Sequence, residues 1–306
     1  MAEFSAKDVA ELRKQTGCGM MDCKNALKDA NGDFEAAVKI LREKGMAAVA
    51  KKASRIAAEG IVDIMTIGST TAIVEVNSET DFVAKNALFQ AFVKDVLKTI
   101  IANKPADVDA LMGCAIVDGE GTVSDALAEK TGTIGEKLSI RRFQVVEGAV
   151  STYIHGMGAT GVIVAFDTDI ADTDAFKECA KNVALQTAAM PVLYLDAASV
   201  PAEVLAEEKN ILIKQMQQDP KMANKPQQVL EKIVEGKVGK YYENNCLLHQ
   251  LYVKDDSMTV AKYVESVAKA NGGSIKVTGY VRFDKGEGLE KREEDFAAEI
   301  QKMVQG

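Results

Sequence analysis

Few residues in this sequence could do chemistry, and their spacing is unfavourable. Its two histidines, His155 and His249, stand about 94 residues apart. Neither belongs to an H-x3-H or C-x2-C spacing of the kind that gathers ligands around zinc. Of the five cysteines, Cys18, Cys23, Cys114, Cys179 and Cys246, the first two are separated by four residues, a poor zinc pattern. Free cysteine otherwise packs as a small hydrophobe. A nucleophilic Cys–His pair stays open, because sequence does not fix distances in space, but nothing positions one. Gly17-Cys18-Gly19 ends a helical pattern instead of following a strand, and it lacks the G-x4-G-K-[ST] of a phosphate loop. Gly156-Met157-Gly158-Ala159-Thr160-Gly161 fits G-x-G-x-x-G, yet it joins two strand patterns and opens no helix, as a dinucleotide site requires. We read it as a hairpin turn. No metal site, no cofactor and no enzyme emerge; a binding protein is expected.

Composition narrows the partner. The chain has 306 residues, 47% hydrophobic and 27% charged, the balance of a globular protein of about two domains with its own core. Lys and Arg number 37 against 45 Asp and Glu, for a net charge of −8. Phosphate neutralisation supplies most nucleic-acid affinity, and the densest basic clusters here are only the pairs Lys51-Lys52 and Arg141-Arg142. Direct nucleic-acid binding is not expected; a protein partner is. An odd cysteine count and an N-terminus without a basic or apolar leader predict reduced thiols in a cytoplasm. No apolar run approaches the roughly 20 residues of a membrane span.

The elements follow from periodicity. Residues 1–45 read as three helices. Ser5 and Asp8 form a capping-box variant before Val9 and Leu12. Cys23, Ala26, Leu27 and Ala30 face inward on the second helix, and Asn31-Gly32 stops it. Asp33 caps the third, with Phe34, Ala37, Val38 and Leu41 inward. Residues 46–59 read as a helical linker. A strand–strand–helix unit then spans 60–147, with strands 60–67 and 71–76 and a helix carrying Phe89, Phe92, Val93, Val96, Leu97 and Ile100. About 88 residues on, the pattern recurs in 148–190, its helix carrying Phe176, Cys179, Ala180, Val183, Ala184 and Thr187. Residues 246–284, with a helix over 260–270 and a strand over 275–283, complete this second unit. Residues 191–245 form an inserted helical hairpin, an antiparallel coiled coil with Val204, Leu205, Ile211 and Leu212 facing Leu230, Ile233, Val234 and Tyr241. In 285–306, an amphipathic helix over 290–304 carries Phe296, Ile300 and Met303 on one stripe. The class is α+β.

Two segments carry a family resemblance. Thr16-Gly17-Cys18-Gly19-Met20-Met21-Asp22-Cys23-Lys24-Asn25-Ala26-Leu27 resembles T-G-x-G-x-M-D-C-K-x-A-L, and Glu75-Val76-Asn77-Ser78-Glu79-Thr80-Asp81-Phe82-Val83-Ala84-Lys85-Asn86 resembles E-V-N-x-x-T-D-F-V-A-K-N. Both belong to the bacterial-type elongation factor Ts family, and weaker matches at Ile140-Arg141-Arg142, Ile154-His155-Gly156, Val234–Lys237 and Val281-Arg282-Phe283 extend the resemblance over nearly the whole chain. The resemblance implies a guanine-nucleotide exchange factor that binds elongation factor Tu, GDP-bound and nucleotide-free, in translation elongation. It implies a ubiquitin-associated-like domain at residues 1–45, two core subdomains, a coiled-coil insertion and a C-terminal module. Thr80, Asp81, Phe82 and Val83 would press on the partner's G domain and dislodge its magnesium. Arg13, Met20 and Met21 would bind it from the N-terminal domain, with one of the two methionines packed inward and the other facing the partner, and His155 from the second core subdomain.

Structural readings stay open beside these. Thr80 or Asp81 would cap the following helix, and Phe82 would cover its first turn. Thr168-Asp169-Ile170, in the equivalent place of the second repeat, favours a structural role. His155 would be a satisfied surface histidine. An adaptor that binds a helical protein without changing its nucleotide affinity fits the same map of elements. An enzyme with a cleft between the repeats would need converging ionisable groups that the sequence does not offer. The repeats are also compatible with a homodimer, which no residue pattern fixes.

Overall fold

The computed structural model describes residues 4–16, 20–218 and 227–290. The turn read at Gly17-Cys18-Gly19, the tip of the inserted hairpin at Asp219-Pro220 and Lys225-Pro226, and the tail helix beyond Glu290 lie outside the described residues. The chain divides into two compact units, one of residues 1–145, 156–160 and 283–306, the other of residues 146–155 and 161–282. Helices and small sheets alternate in both, an α+β protein. Among the described residues no helix is long and apolar enough to cross a membrane.

The first unit opens with α1 (Ala6–Thr16), α2 (Met20–Asp29) and α3 (Phe34–Lys52). Ser5 and Asp8 cap α1 reciprocally, the Asp8 carboxylate accepting the Ser5 N–H at 2.6 Å and the Ser5 hydroxyl accepting the Asp8 N–H at 3.3 Å. Asn31 and Gly32, both at positive φ, end α2, and Asp33 accepts from Ala36 N–H to start α3. Val9, Leu12, Cys23, Ala26, Leu27, Ala37 and Leu41 form the buried cluster of these helices. The first part of the expected helical linker is a continuation of α3, which runs on to Lys52. At Gly45 it passes a later helix so closely that a Cβ would come 3.0 Å from the Ala128 carbonyl oxygen.

Strands β1 (Glu59–Ile67) and β2 (Thr70–Ser78) pair antiparallel in the register Ile61↔Val76 and Asp63↔Val74. Short α4 (Asp81–Ala84), then α5 (Ala87–Asn103), α6 (Val108–Met112) and α7 (Val123–Ile134) lead to β3 (Ser139–Glu147), which lies beside β2 in the order β1-β2-β3. The sequence reading assigned neither α6 and α7 nor β3. A full capping box between Thr122 and Asp125 opens α7, and Leu111, Val123 and Leu127 join α5 in covering the sheet.

As the middle strand, β2 is buried along its whole length, its polar residues included. Glu75 is fully buried. Its carboxylate accepts from Gly286 N–H at 2.8 Å, Asn77 Nδ2 at 3.1 Å, Arg141 at 3.0 Å and Arg142 Nε at 2.6 Å. Arg142 also lies 4.3 Å over the Phe283 ring and reaches Glu287 at 3.1 Å. The Arg141-Arg142 pair, one of the densest basic clusters in the sequence, therefore serves as an internal counter-charge. Gly286 sits at φ +69°, where a Cβ would fall 2.3 Å from the Ala58 carbonyl oxygen, so only glycine brings its N–H to the carboxylate.

The second unit holds β4 (Ala149–His155), β5 (Thr160–Thr168), α8 (Asp174–Ala189), α9 (Ala202–Gln218), α10 (Gln227–Asn245), β6 (Leu251–Tyr252), β7 (Asp255–Thr259), α11 (Val260–Ala270) and β8 (Ile275–Asp284). Its three-stranded sheet runs β4-β5-β8, and β6 and β7 form a separate ribbon that sequence reading missed. Val162, Val164 and Phe166 pack on Phe176, Cys179 and Val183, with Val260, Val264 and Val277 beside them. In the α9–α10 hairpin, Leu212 and Met216 meet Val234 and Val238. Ile211, expected in that seam, is 43% exposed; the helical phase places Met216, one turn beyond Leu212, inward instead.

Burial sets the charge state of Glu75 in two opposing ways. Desolvation pushes its pKa up, but the Gly286 N–H, Asn77 and the two arginines outweigh this and hold it below the ordinary value of 4.5. The native state then binds fewer protons than the unfolded chain, so this contribution is complete above about pH 4.5 and fades as pH falls through the lower folded value. Removing one partner of a buried ion pair costs about 3–5 kcal/mol. We expect Glu75→Ala to lose about that much in chemical denaturation at neutral pH. Glu75→Gln should lose less, and its unfolding free energy should fall less steeply than the wild type's below pH 4.5. Parallel pH profiles for wild type and Glu75→Gln would show that the carboxylate is not the group responsible.

Candidate partner-binding site

The segment Ser78–Asn86 leaves the central strand and turns into α5. The Ser78 hydroxyl donates to the Thr80 carbonyl at 2.9 Å and tightens the exit from β2. Thr80 stands at the N-cap of α4 in extended conformation, yet its side chain makes no cap hydrogen bond. Its hydroxyl donates instead to Glu136 Oε1 at 2.7 Å and its N–H to Glu136 Oε2 at 3.0 Å. The cap of α5 is Asn86, whose side chain accepts from Leu88 N–H at 2.8 Å. The reading in which Thr80 or Asp81 caps the long helix is thereby corrected.

One turn of helix then divides its residues sharply. Val83 is buried in the first unit's core, while Asp81 is exposed and Phe82 is 77% exposed. Phe82 therefore covers nothing. Asp81 Oδ2 pairs with Lys85 Nζ at 2.9 Å, an i,i+4 contact, and the same ammonium lies 5.8 Å from the Phe82 ring centroid. The hydrogen bond from Lys85 leads the causes that hold the Asp81 carboxyl below its usual range. Leu88, at the start of α5, is 49% exposed. The result is an aromatic ring on a short rigid turn, rimmed by one acid and one base. Single exposed apolar residues are ordinary, but the segment's own geometry could have buried this one, as the second repeat shows.

In that repeat the inward triplet Ala72, Val74, Val76 recurs as Val162, Val164, Phe166, ninety positions on, whereas Phe89, Phe92, Val93 recurs as Phe176, Cys179, Ala180, only eighty-seven on. The junction is three residues shorter. Thr168, the last residue of β5, corresponds to Ser78, the last of β2, and not to Thr80, which corrects the equivalence drawn from a uniform offset. Ile170 there is half-buried against the core.

The other expected site residues stand on other foundations. Arg13 is exposed on α1, and Met20 and Met21, at the start of α2, are 46% and 63% exposed. Neither methionine packs inward, contrary to the expectation that one would. They are carried by the N-terminal helix cluster, and Phe82 by the core of the first sheet. His155 ends β4 in the second unit, exposed, with Nδ1 3.2 Å from the Tyr153 hydroxyl. Gly156–Gly158 forms a turn between β4 and β5, with no helix after it. Among the described residues no group of three or more His, Cys, Asp or Glu is placed to hold a metal. Cys23, Cys179 and Cys246 are buried.

A protein-family model described as elongation factor TS matches residues 79–287, beginning one residue before Thr80. Elongation factor Ts of Syntrophotalea carbinolica is 45% identical over 305 residues, covering 99% of both chains. Those of Clostridium kluyveri and Clostridioides difficile are each 46% identical, over 309 and 308 residues, covering 99% of this chain and 99% and 100% of theirs. The chain belongs to the elongation factor Ts family. The elongation factor Ts match thus spans the Phe82 turn, β3, the sheet of the second unit and the α9–α10 hairpin, and the full-length relatives extend it over β1, β2 and the N-terminal helices.

Two residues of the site went unread in the sequence. Lys85 could have been found as the i+4 partner of Asp81. Glu136 could not, because 56 positions separate it from Thr80. The in–out division at α4 predicts opposite stability effects for neighbours. Phe82→Ala should change unfolding free energy by less than about 0.5 kcal/mol. Val83→Ala, which empties space in the core, should cost roughly 1–3 kcal/mol in the same denaturation experiment. Comparable losses for both would mean that the ring packs against the protein in solution.

Proposed function

We propose that this chain is the guanine-nucleotide exchange factor of elongation factor Tu, acting in translation elongation in the cytoplasm. The observation that carries this reading is Phe82, held 77% exposed beside an ion-paired Asp81 on a turn whose next residue is locked in the core. In this reading the N-terminal helices are a ubiquitin-associated-like docking domain presenting Arg13, Met20 and Met21. The two sheets are the core subdomains, with His155 a lesser contact on the second, and α9–α10 is the coiled-coil insertion. Thr80–Val83 approaches the partner's G domain at its magnesium and phosphate site.

The chain would break no covalent bond. It accelerates GDP release by binding the nucleotide-free partner more tightly than the loaded one, and by reciprocity GDP weakens its own grip by the same factor. An apolar anchor seated in a partner pocket can contribute about 2 kcal/mol or more, and α4 presents the ring already ordered, which lowers the entropy lost on docking. Asp81 adds a carboxylate close to where magnesium is held, once Lys85 yields it or follows it.

Stopped-flow release of a fluorescent GDP analogue from purified elongation factor Tu tests this directly. Release should accelerate and saturate with the concentration of this protein, and Phe82→Ala should lower the accelerated rate at least tenfold, the equivalent of about 1.4 kcal/mol. Unchanged release, with the protein folded and the partner active, would overturn the exchange reading and leave an adaptor.

A further inference from the structure

We infer that Glu136 is a positioning residue for the exposed Asp81–Phe82 turn, an inference that rests on the exchange reading above. Its carboxylate takes both the N–H and the hydroxyl of Thr80, at 3.0 and 2.7 Å. The neighbouring pair returns the gesture: Glu79 Oε1 accepts the Lys137 N–H at 2.6 Å. Two consecutive residues on each side thus exchange carboxylates for backbone donors. Glu79 is further held by Arg55 at 3.1 Å, and Lys137 Nζ donates to the carbonyls of Ala53 and Arg55 at 2.7 and 2.8 Å.

This clasp continues a register set deeper in the protein. Glu75 meets Arg141, Glu79 meets Lys137 and Thr80 meets Glu136. Each step forward along one segment is a step back along the other, as in an antiparallel ladder. The backbone ladder of β2 ends at Ser78 and β3 begins at Ser139, so beyond the strands the side chains of Glu79 and Glu136 extend the pairing. That extension fixes where α4 starts.

A four-residue helix is far too short to hold its own orientation. Val83 gives one fixed point in the core, and a single point leaves a pivot. Thr80 on Glu136 gives the second. The second repeat holds its shorter junction differently: Thr168 Oγ1 accepts from Ile170 N–H at 3.2 Å within the junction, and Asp169, a residue of the junction itself, supplies the carboxylate that accepts the Ser274 N–H at 2.7 Å. The clasp goes with the longer junction and the outward aromatic. Without Glu136 the ring must be ordered during the exchange step, and that cost falls on the rate of the step and not on encounter.

The test is the GDP-release assay with wild type, Glu136→Ala, Glu136→Gln, Thr80→Val, Phe82→Ala and the Glu136→Ala/Phe82→Ala double variant, each checked by thermal melt. Glu136→Ala should lower the saturating release rate roughly tenfold, as loosening the turn slows only the step in which the ring is ordered, while half-saturation moves less than about twofold. Glu136→Gln and Thr80→Val, which keep part of the clasp, should fall between. On the Phe82→Ala background Glu136→Ala should add no further loss, since it acts through the ring. A wild-type rate in Glu136→Ala, or a full additional loss in the double variant, overturns the inference while leaving exchange intact. A wild-type protein that does not accelerate release overturns the exchange reading instead. Should Glu136→Ala melt far below wild type, Glu136→Gln and Thr80→Val decide by the same criteria.

Discussion

Glu75 lies in the middle of a strand that has no wet face, and its charge must be met from within. Two arginines from β3, a backbone N–H from Gly286 and the Asn77 amide meet it. Taking such a group out of water is expensive, and its pairing returns little net stability over a well-packed apolar residue. What it supplies is discrimination. A shift of β3 along β2 would break the present Arg141 and Arg142 bonds together and leave the buried carboxylate under-paired. Any side chain at position 286 would press on Ala58, so a glycine there is what lets its N–H reach the carboxylate. One ionised group therefore sets the alignment of the central strand, its neighbour and the segment Asp284–Glu287 together.

That alignment reaches the surface at α4. Because β2 ends three residues past Glu75 and β3 starts two before Arg141, the loops leaving the two strands emerge side by side. Val83 turns back into the core and Phe82 is pushed out, with no local choice between them: on a single helical turn, neighbouring residues point about 100° apart. The first repeat carries three residues more than the second at this junction. The second uses its shorter path to tuck Ile170 against the core. Duplicated architecture with one lengthened junction is how the chain packs Ile170 against the core in one repeat and exposes Phe82 in the other.

Much of this was legible because it is local. The capping residues Ser5, Asp8 and Asp33, the stop at Asn31-Gly32 and the inward faces of α5 and α8 all follow from spacings within two helical turns, and the structure has them there. Strand β3 was missed because its sequence, Ser-Ile-Arg-Arg-Phe-Gln-Val-Val-Glu, alternates poorly. Its arginines look like surface charge until Glu75 is known to lie buried beneath them. The α9 seam was misphased because Ile211 and Leu212 are equally apolar, and only the partner helix decides between them. At the site, Asp81 and Phe82 stood out through family resemblance and not through any physical pattern. Glu136 depends on a contact across 56 positions, which no window of sequence contains.

A partner-binding aromatic faces opposed demands. In the free protein an exposed ring gains nothing from burial, and a flexible segment would collapse it onto the nearest apolar surface. On docking, the same flexibility would be lost at a cost charged against the contact. The first repeat resolves both by connecting the ring to rigid structure on each side, Val83 in the core below and Thr80 on Glu136 behind. Lys85 ties Asp81 to the same turn at the front. In the proposed function the ring would thus meet its partner in one orientation, and the difference in affinity between two partner states would depend on the shape of the partner's pocket and not on reordering this chain. In the exchange reading proposed above, the effect on nucleotide release can be no larger than that difference, so a rigid display matters more than a strong one.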